Sequence, residues 1–221
     1  MYRYPNAVLL VFCKAPVAGQ VKTRLSNVLS AQQCADLHTE LSLRTLELAV
    51  NSQLCPVQLW CSPTIEQDFF SLAATTYGIS LAQQQGKDLG ERMHHAFCSA
   101  LVHYRHAVLI GCDCPSLTKS DLATALDALA IGNDIVLAPA EDGGYVLVGL
   151  NQPHPELFNG IAWGTSEVLA KTRELIQQHH WQSIELKEQW DVDTPTDLLR
   201  YYQRFSPALW DENYSEACFL P

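Results

Sequence analysis

Short runs of β-branched and aliphatic residues alternate along this chain with longer stretches of helical periodicity, and few folds accommodate that rhythm. Runs at 7–13, 56–61, 79–83, 107–111, 134–139, 145–150 and 182–186 read as strands. Several are apolar throughout, as strands covered on both faces are. Between them the spacing predicts helices over 31–50, 65–77, 89–104, 118–130, 165–179 and 194–205. Ser30 stands as N-cap of the first, ahead of an apolar stripe through Leu37, Leu41 and Leu48. Such a succession builds an α/β fold, a mostly parallel sheet between helical layers. One link breaks the pattern. Only Ala140-Glu-Asp-Gly-Gly144 separates the fifth and sixth runs, too short for a crossover helix, so one strand of that pair runs antiparallel to its neighbours.

Composition narrows the function classes. With 14 Lys+Arg against 24 Asp+Glu the formal charge is −10, which argues against nucleic acid as a partner, because phosphate backbones need broad basic surface. At 48% hydrophobic and 17% charged, the 221 residues can bury a real core and are not disordered. We expect one domain over 1–205 and an irregular tail, 206–221, whose Pro207, Trp210, Tyr214 and Phe219 pack on the body or a partner. The N-terminal apolar run is seven residues long and ends at Lys14, too short for a membrane span and lacking a cleavage site behind it, so a cytoplasmic protein is expected. The eight cysteines read as reduced and mostly buried. No C-x-x-C occurs, and Cys112-x-Cys114 lacks the second pair that zinc needs.

In a parallel sheet the loops at the carboxyl ends of strands carry the ligands. The first, Lys14-Ala15-Pro16-Val-Ala-Gly19-Gln-Val-Lys22-Thr23-Arg24, holds three of the chain's basic residues around a glycine, a composition suited to polyphosphate. It is not a Walker A loop, and a solvated basic turn is the plainer alternative. The second, Gly111-Cys-Asp113-Cys-Pro115, sets an acid at the end of a buried strand, where it can hold a divalent metal; the better helix caps, Ser116 and Thr118, lie downstream. The third, Glu141-Asp142-Gly143-Gly144-Tyr145, is either a plain hairpin turn or a backbone platform for substrate with an acid beside it. The fourth, Asp191-Val-Asp193-Thr194-Pro195, aims two carboxylates the same way along an extended backbone, with Thr194 and Pro195 opening a helix. Gly86 and Gly90 flank a further candidate substrate loop, and Thr165 or Ser166 offers a capping box to the helix after Trp163. The pairs His94–His95 and His179–His180 read as solvated positions. No G-x-G-x-x-G, G-x-S-x-G or H-E-x-x-H occurs, so dinucleotide binding and the common hydrolase and metalloprotease sites drop out.

These four loops, in this order, resemble the rSAM/selenodomain-associated transferase 1 family, a branch of the GT-A superfamily of nucleotide-diphospho-sugar glycosyltransferases and nucleotidyltransferases. The likeness spans about residues 5 to 205. It implies a Rossmann-like α/β/α sandwich of the GT-A type. The first loop is also similar to that of phospholactate guanylyltransferases and molybdenum-cofactor nucleotidyltransferases, with Gly19-Gln-Val-Lys22-Thr23-Arg24 where those have a G-x-G-T-R core. Carried over, Lys14, Lys22 and Arg24 contact phosphates, and Gly19 allows the approach. Asp113, with Asp193 and Asp191, then holds Mg²⁺ or Mn²⁺.

The reading that follows is a metal-dependent transferase taking a nucleotide-activated donor and a small-molecule acceptor. In the nucleotidyl version, the three cations and the metal stabilise charge as an NTP is attacked in line. In the glycosyl version, the donor is an NDP-sugar and Asp142 or Glu141 acts as base. Three cations tilt the balance toward nucleotidyl transfer. Two rivals come from other classes: a non-catalytic nucleotide- or partner-binding module, and a thiol redox protein using Cys112 and Cys114.

Overall fold

The computed structural model describes residues 1–205; the tail aromatics expected to pack on the body lie outside the described residues. Seven strands, β1 (Ala7–Lys14), β2 (Val57–Ser62), β3 (Ser80–Gln83), β4 (His106–Gly111), β5 (Ile135–Pro139), β6 (Tyr145–Leu150) and β7 (Ser183–Glu185), form one sheet. Its helices are α1 (Ala31–Asn51), α2 (Asp68–Tyr77), α3 (Leu89–Ala100), α4 (Lys119–Ala130), α5 (Val168–Gln178) and α6 (Pro195–Phe205). The strand order is β3-β2-β1-β4-β6-β5-β7. All pairings are parallel except those of β6, which runs antiparallel to β4 and β5 and is the odd member that the short link demanded.

The residues of β1 explain why the sheet lies in the middle. All but Lys14 are buried, which requires helices on both faces. Leu9, Val11 and Cys13 share one core with Leu46 of α1, Phe70 of α2 and Leu126 of α4. Val8, Leu10 and Phe12 point the other way, to Met93 and Phe97 of α3 and to Leu169 and Ile176 of α5. A third cluster joins Leu37 and Leu41 of α1 to Leu198 and Tyr201 of α6 through Trp190 and Val192. That cluster brings the 190–194 segment to the first loop.

Local signals set most of the boundaries. Ser30 caps α1 in a reciprocal box: its Oγ accepts from the Gln33 amide and its own amide donates to Gln33 Oε1. Thr118 and Asp121 do the same for α4. The expectation for α5 needs correcting. The helix starts at Val168 behind Glu167, which makes no side-chain cap, while the Thr165 hydroxyl donates to the Ala162 carbonyl of an irregular approach. Similarly, α3 stops at Ala100, with Leu101 as its C-cap, short of the predicted Tyr104. Among the described residues, no helix is long and apolar enough to cross a membrane.

Candidate active site

From β1 the chain moves outward to β2 and β3, then returns to lay β4 on the other side of β1. Where strand order reverses in this way, neighbouring loops diverge and leave a crevice at the carboxyl ends of the strands. The first loop leaves β1 there and the Asp113 loop leaves β4 there. Packing between α1 and α6 adds the 191–193 segment, held by a hydrogen bond from the Val192 amide to the Asp113 carbonyl, 3.0 Å.

Lys22 ties the three segments together. Its side chain is only 3% exposed, and its Nζ lies 2.7 Å from Asp113 Oδ1, 3.2 Å from Asp193 Oδ1 and 2.7 Å from the Val192 carbonyl. Its hydrogen bonds go to Asp193 and the Val192 carbonyl, and Asp113 adds the closest ionic contact. Burial favours loss of its proton, but the charges of Asp113 and Asp193 outweigh burial and push its pKa up. The backbone is left-handed at Lys22 (φ 50°), an uncommon conformation for a residue with a Cβ, and one that costs energy.

His38, on the buried stripe of α1, meets Asp113 from the other side. Its Nδ1 lies 3.4 Å from Asp113 Oδ1, and its Nε2 lies 2.9 Å from the Lys14 carbonyl. Burial opposes its protonation. The neighbouring Asp113 and Cys13 outweigh burial and carry its pKa up to about 10. Burial likewise disfavours ionised Asp113, but Lys22 and His38 hold its carboxyl well below the usual carboxylate range. The Cys13 thiol is drawn down by its hydrogen bond with Cys112 and by His38, whereas the Cys112 thiol at the other end of that hydrogen bond is pushed up. Asp113 Oδ1, which solvent does not reach, is held by the ionic contacts of Lys22 and His38 without a hydrogen bond of its own, while the side chain as a whole remains 41% exposed toward the crevice. No motif announced His38; the available signal was a histidine among the core positions of an amphipathic helix.

The remaining acids divide. Asp193 is committed to cations, with Oδ1 on Lys22 and Oδ2 3.3 Å from Arg24. Asp191 lines a cavity of about 230 Å³ shared with Asp113, without a cation of its own. Burial, then the charges of Asp193 and Asp142, push its carboxyl up to about 7.

The other sequence-predicted residues lie as follows. Lys14 is exposed and donates to the Gln20 carbonyl, Arg24 is 63% exposed, and the left-handed Gly19 has open space around it. Ala15 is buried and bonded to β2, while Pro16 and Thr23 shape the turn. Glu141 is held by Arg200, and Asp142 accepts from the Gly144 amide in a local turn. Gly143 is left-handed and so close to the Ser166 backbone that a Cβ would sit 2.3 Å from its carbonyl oxygen; its glycine serves that approach. Gly86 packs equally close to the start of α3. Tyr145 reaches the cavity wall, its ring edge-on to Trp163. Of the predicted solvated histidines, His94 and His95 prove half-buried, the latter against Trp60. The apolar lining of the cavity, Phe12, Leu89, Met93 and Leu109, escaped the sequence reading because such residues look like core.

The donor chemistry fits a divalent cation. Asp113 and Asp191 face one cavity, and Asp191 lacks the counter-charge that would ionise it fully. Magnesium is commonly held by one or two carboxylates, with phosphate and water completing its shell. Among the described residues no three His, Cys, Asp or Glu side chains converge into a ready cage, so an ion held by these two acids would need further ligands from phosphate or water.

Similar folds recur among solved structures. A Desulfovibrio desulfuricans G20 protein named "putative nucleotide-diphospho-sugar transferase" is 29% identical, with a TM-score of 0.82 over 97% of this chain and 94% of that one. CMP:2-keto-3-deoxy-manno-octonic acid synthetase in complex with CTP aligns with a TM-score of 0.57 at 10% identity over 92% and 100% of the two chains. The manganese complex of Rv0371c from Mycobacterium tuberculosis H37Rv aligns at 0.55 and 14% identity over 90% and 99%. The last two show the fold alone, a nucleotide-diphospho-sugar transferase-like Rossmann fold. No curated protein sequence matches the chain. Residues 45–165, more than half the chain and including β4 and the Asp113 loop, match the family described as "Uncharacterized protein conserved in bacteria (DUF2064)", and the chain belongs to that family.

Proposed function

We propose that this protein is a metal-dependent transferase that binds a nucleotide-activated donor at the crevice between β1 and β4 and passes part of it to a small acceptor. One observation carries the reading: a basic loop and two acidic segments, distant in sequence, meet around Lys22 Nζ, 2.7 Å from Asp113 and 3.2 Å from Asp193. Polyphosphate and a divalent ion together require such a mixed-sign site, and a surface basic turn would not bury its lysine. The CTP and manganese bound by the fold relatives support the ligand class.

In this reading Lys14 and Arg24, already solvent-facing, neutralise the phosphate oxygens, and Gly19 lets the backbone approach them. Asp113 and Asp191 would hold Mg²⁺ or Mn²⁺, which when bound supplies positive charge at the oxygens of the reacting phosphate. His38 and Lys22 fix Asp113 so that its open edge does not turn away. No nucleophilic side chain is required, because positioning and charge do the catalytic work in phosphoryl chemistry.

Three exposed or releasable cations favour nucleotidyl transfer from an NTP. Glycosyl transfer from an NDP-sugar is the second reading, favoured by the name of the Desulfovibrio relative. A thermal-shift series with the four NTPs and with UDP-, GDP- and ADP-sugars, each with Mg²⁺, Mn²⁺ or EDTA, separates the two. A metal-dependent rise with one NTP supports the first, and a rise only with a nucleotide sugar supports the second. No rise with any ligand, or an Asp113→Asn variant that responds unchanged, would defeat the site as described.

A further inference from the structure

We propose that the cavity between β4, β6 and the start of α3 receives the acceptor, and that the acceptor is an uncharged alcohol on an apolar body and not a sugar phosphate. The inference rests on the transferase reading and names the substrate class of its second half. The cavity measures about 230 Å³, room for a single ring or a short branched chain. Its walls include Phe12, Leu89, Met93 and Leu109, with Leu147 and Val148 of β6. Every charged group on its lining is an acid, Asp113 or Asp191. None of the cations of the site is on this lining: Lys22 faces Asp113 and Asp193 from the first loop, Arg24 reaches Asp193, and Lys14 turns to Gln20.

A phosphate seated against these apolar walls, away from any ion that Asp113 and Asp191 would hold, finds no counter-charge, and a sugar ring finds few partners for its hydroxyls, so a sugar phosphate is disfavoured. A nucleobase fares little better, because its polar edge needs several hydrogen-bond partners and most of the wall, Phe12, Leu89, Met93, Leu109, Leu147 and Val148, offers none. A hydroxyl group next to Asp113 and Asp191 finds acceptors, while the carbon skeleton behind it meets apolar side chains. The opening has the same preference: Leu89 at the start of α3 is 44% exposed although it lines the cavity, a large apolar residue left uncovered where a ligand would cover it.

Saturation-transfer NMR on the full chain tests this with three probes, cyclohexylmethanol, glucose 1-phosphate and cytidine, each with and without Mg²⁺ and the nucleotide that gives the largest thermal shift. Cyclohexylmethanol should show transfer and should be displaced by neither competitor. Leu89→Gln, at an exposed position, should weaken it about tenfold, or ~1.4 kcal/mol, while leaving the nucleotide's thermal shift unchanged. Met93→Gln is the second variant, and its folding is checked by that same retained shift. Absence of cyclohexylmethanol binding, or its displacement by glucose 1-phosphate or cytidine, would overturn the proposal. Loss of every nucleotide shift in the parent protein with cyclohexylmethanol still bound would instead count against the transferase reading.

Discussion

At the scale of single residues, the charges around Asp113 make opposite predictions for different pH ranges. Asp191 has its folded pKa raised to about 7, so its penalty is absent below the ordinary carboxylate value, grows as pH rises from there toward 7, and is complete above it. Asp191→Asn should therefore raise Tm at pH 8 and leave it unchanged near pH 4, a difference that calorimetry at the two pH values would read. His38 behaves differently because its folded pKa, about 10, lies above the unfolded one near 6.5. Its contribution is complete below pH 6.5 and is lost as pH climbs toward 10. The stability gap between the parent and His38→Gln in urea should accordingly close over that interval. Lys22→Met leaves two partly exposed acids facing each other; discounted for solvent, the loss should be about 1–2 kcal/mol at pH 7 by denaturant titration. These roles were unevenly legible in the sequence. The acids and cations of the four loops stand beside glycine and proline and could be picked out from residue type alone. That Lys22 would be caged and Lys14 left exposed could not, because the difference lies in which side chain the α1–α6 packing happens to cover.

Elements were more legible than roles. All seven strands and six helices fall where periodicity put them, and the errors cluster at ends, where a helix stops for reasons of local hydrogen bonding. The start of α5 illustrates this: Thr165 and Ser166 have the chemistry of caps, but the Gly143 carbonyl accepts the Leu169 amide, and that contact from a distant loop decides where the helix is anchored. Where the cap is local the prediction is direct. Ser30→Ala should cost about 1 kcal/mol, because it removes the acceptor for the Gln33 amide and half of the box that begins α1. A larger effect belongs to the seam between α1 and α6. Leu198 is fully buried against Leu37 and Leu41, so Leu198→Ala should destabilise by about 2–4 kcal/mol. It should also weaken nucleotide binding, since Asp191 and Asp193 ride on that seam; comparing binding at a temperature where both proteins are folded isolates the second effect.

For the molecule as a whole, the resting site is close to neutral although the chain carries a formal charge of −10. Lys22 Nζ stands between Asp113 and Asp193 and also donates to the Val192 carbonyl. A metal ion held by Asp113 would compete with a cation the protein already owns, and Lys22 would then be available to the phosphates of a nucleotide. By reciprocity, whatever drew the lysine outward would tighten the grip on such an ion, and the ion would in turn tighten the grip on the nucleotide. The left-handed backbone at Lys22 is strain that such an exchange is free to release. The resting protein would thus hold its metal site shut with its own side chain, and the nucleotide, arriving with its metal, would supply the charge that unlatches it.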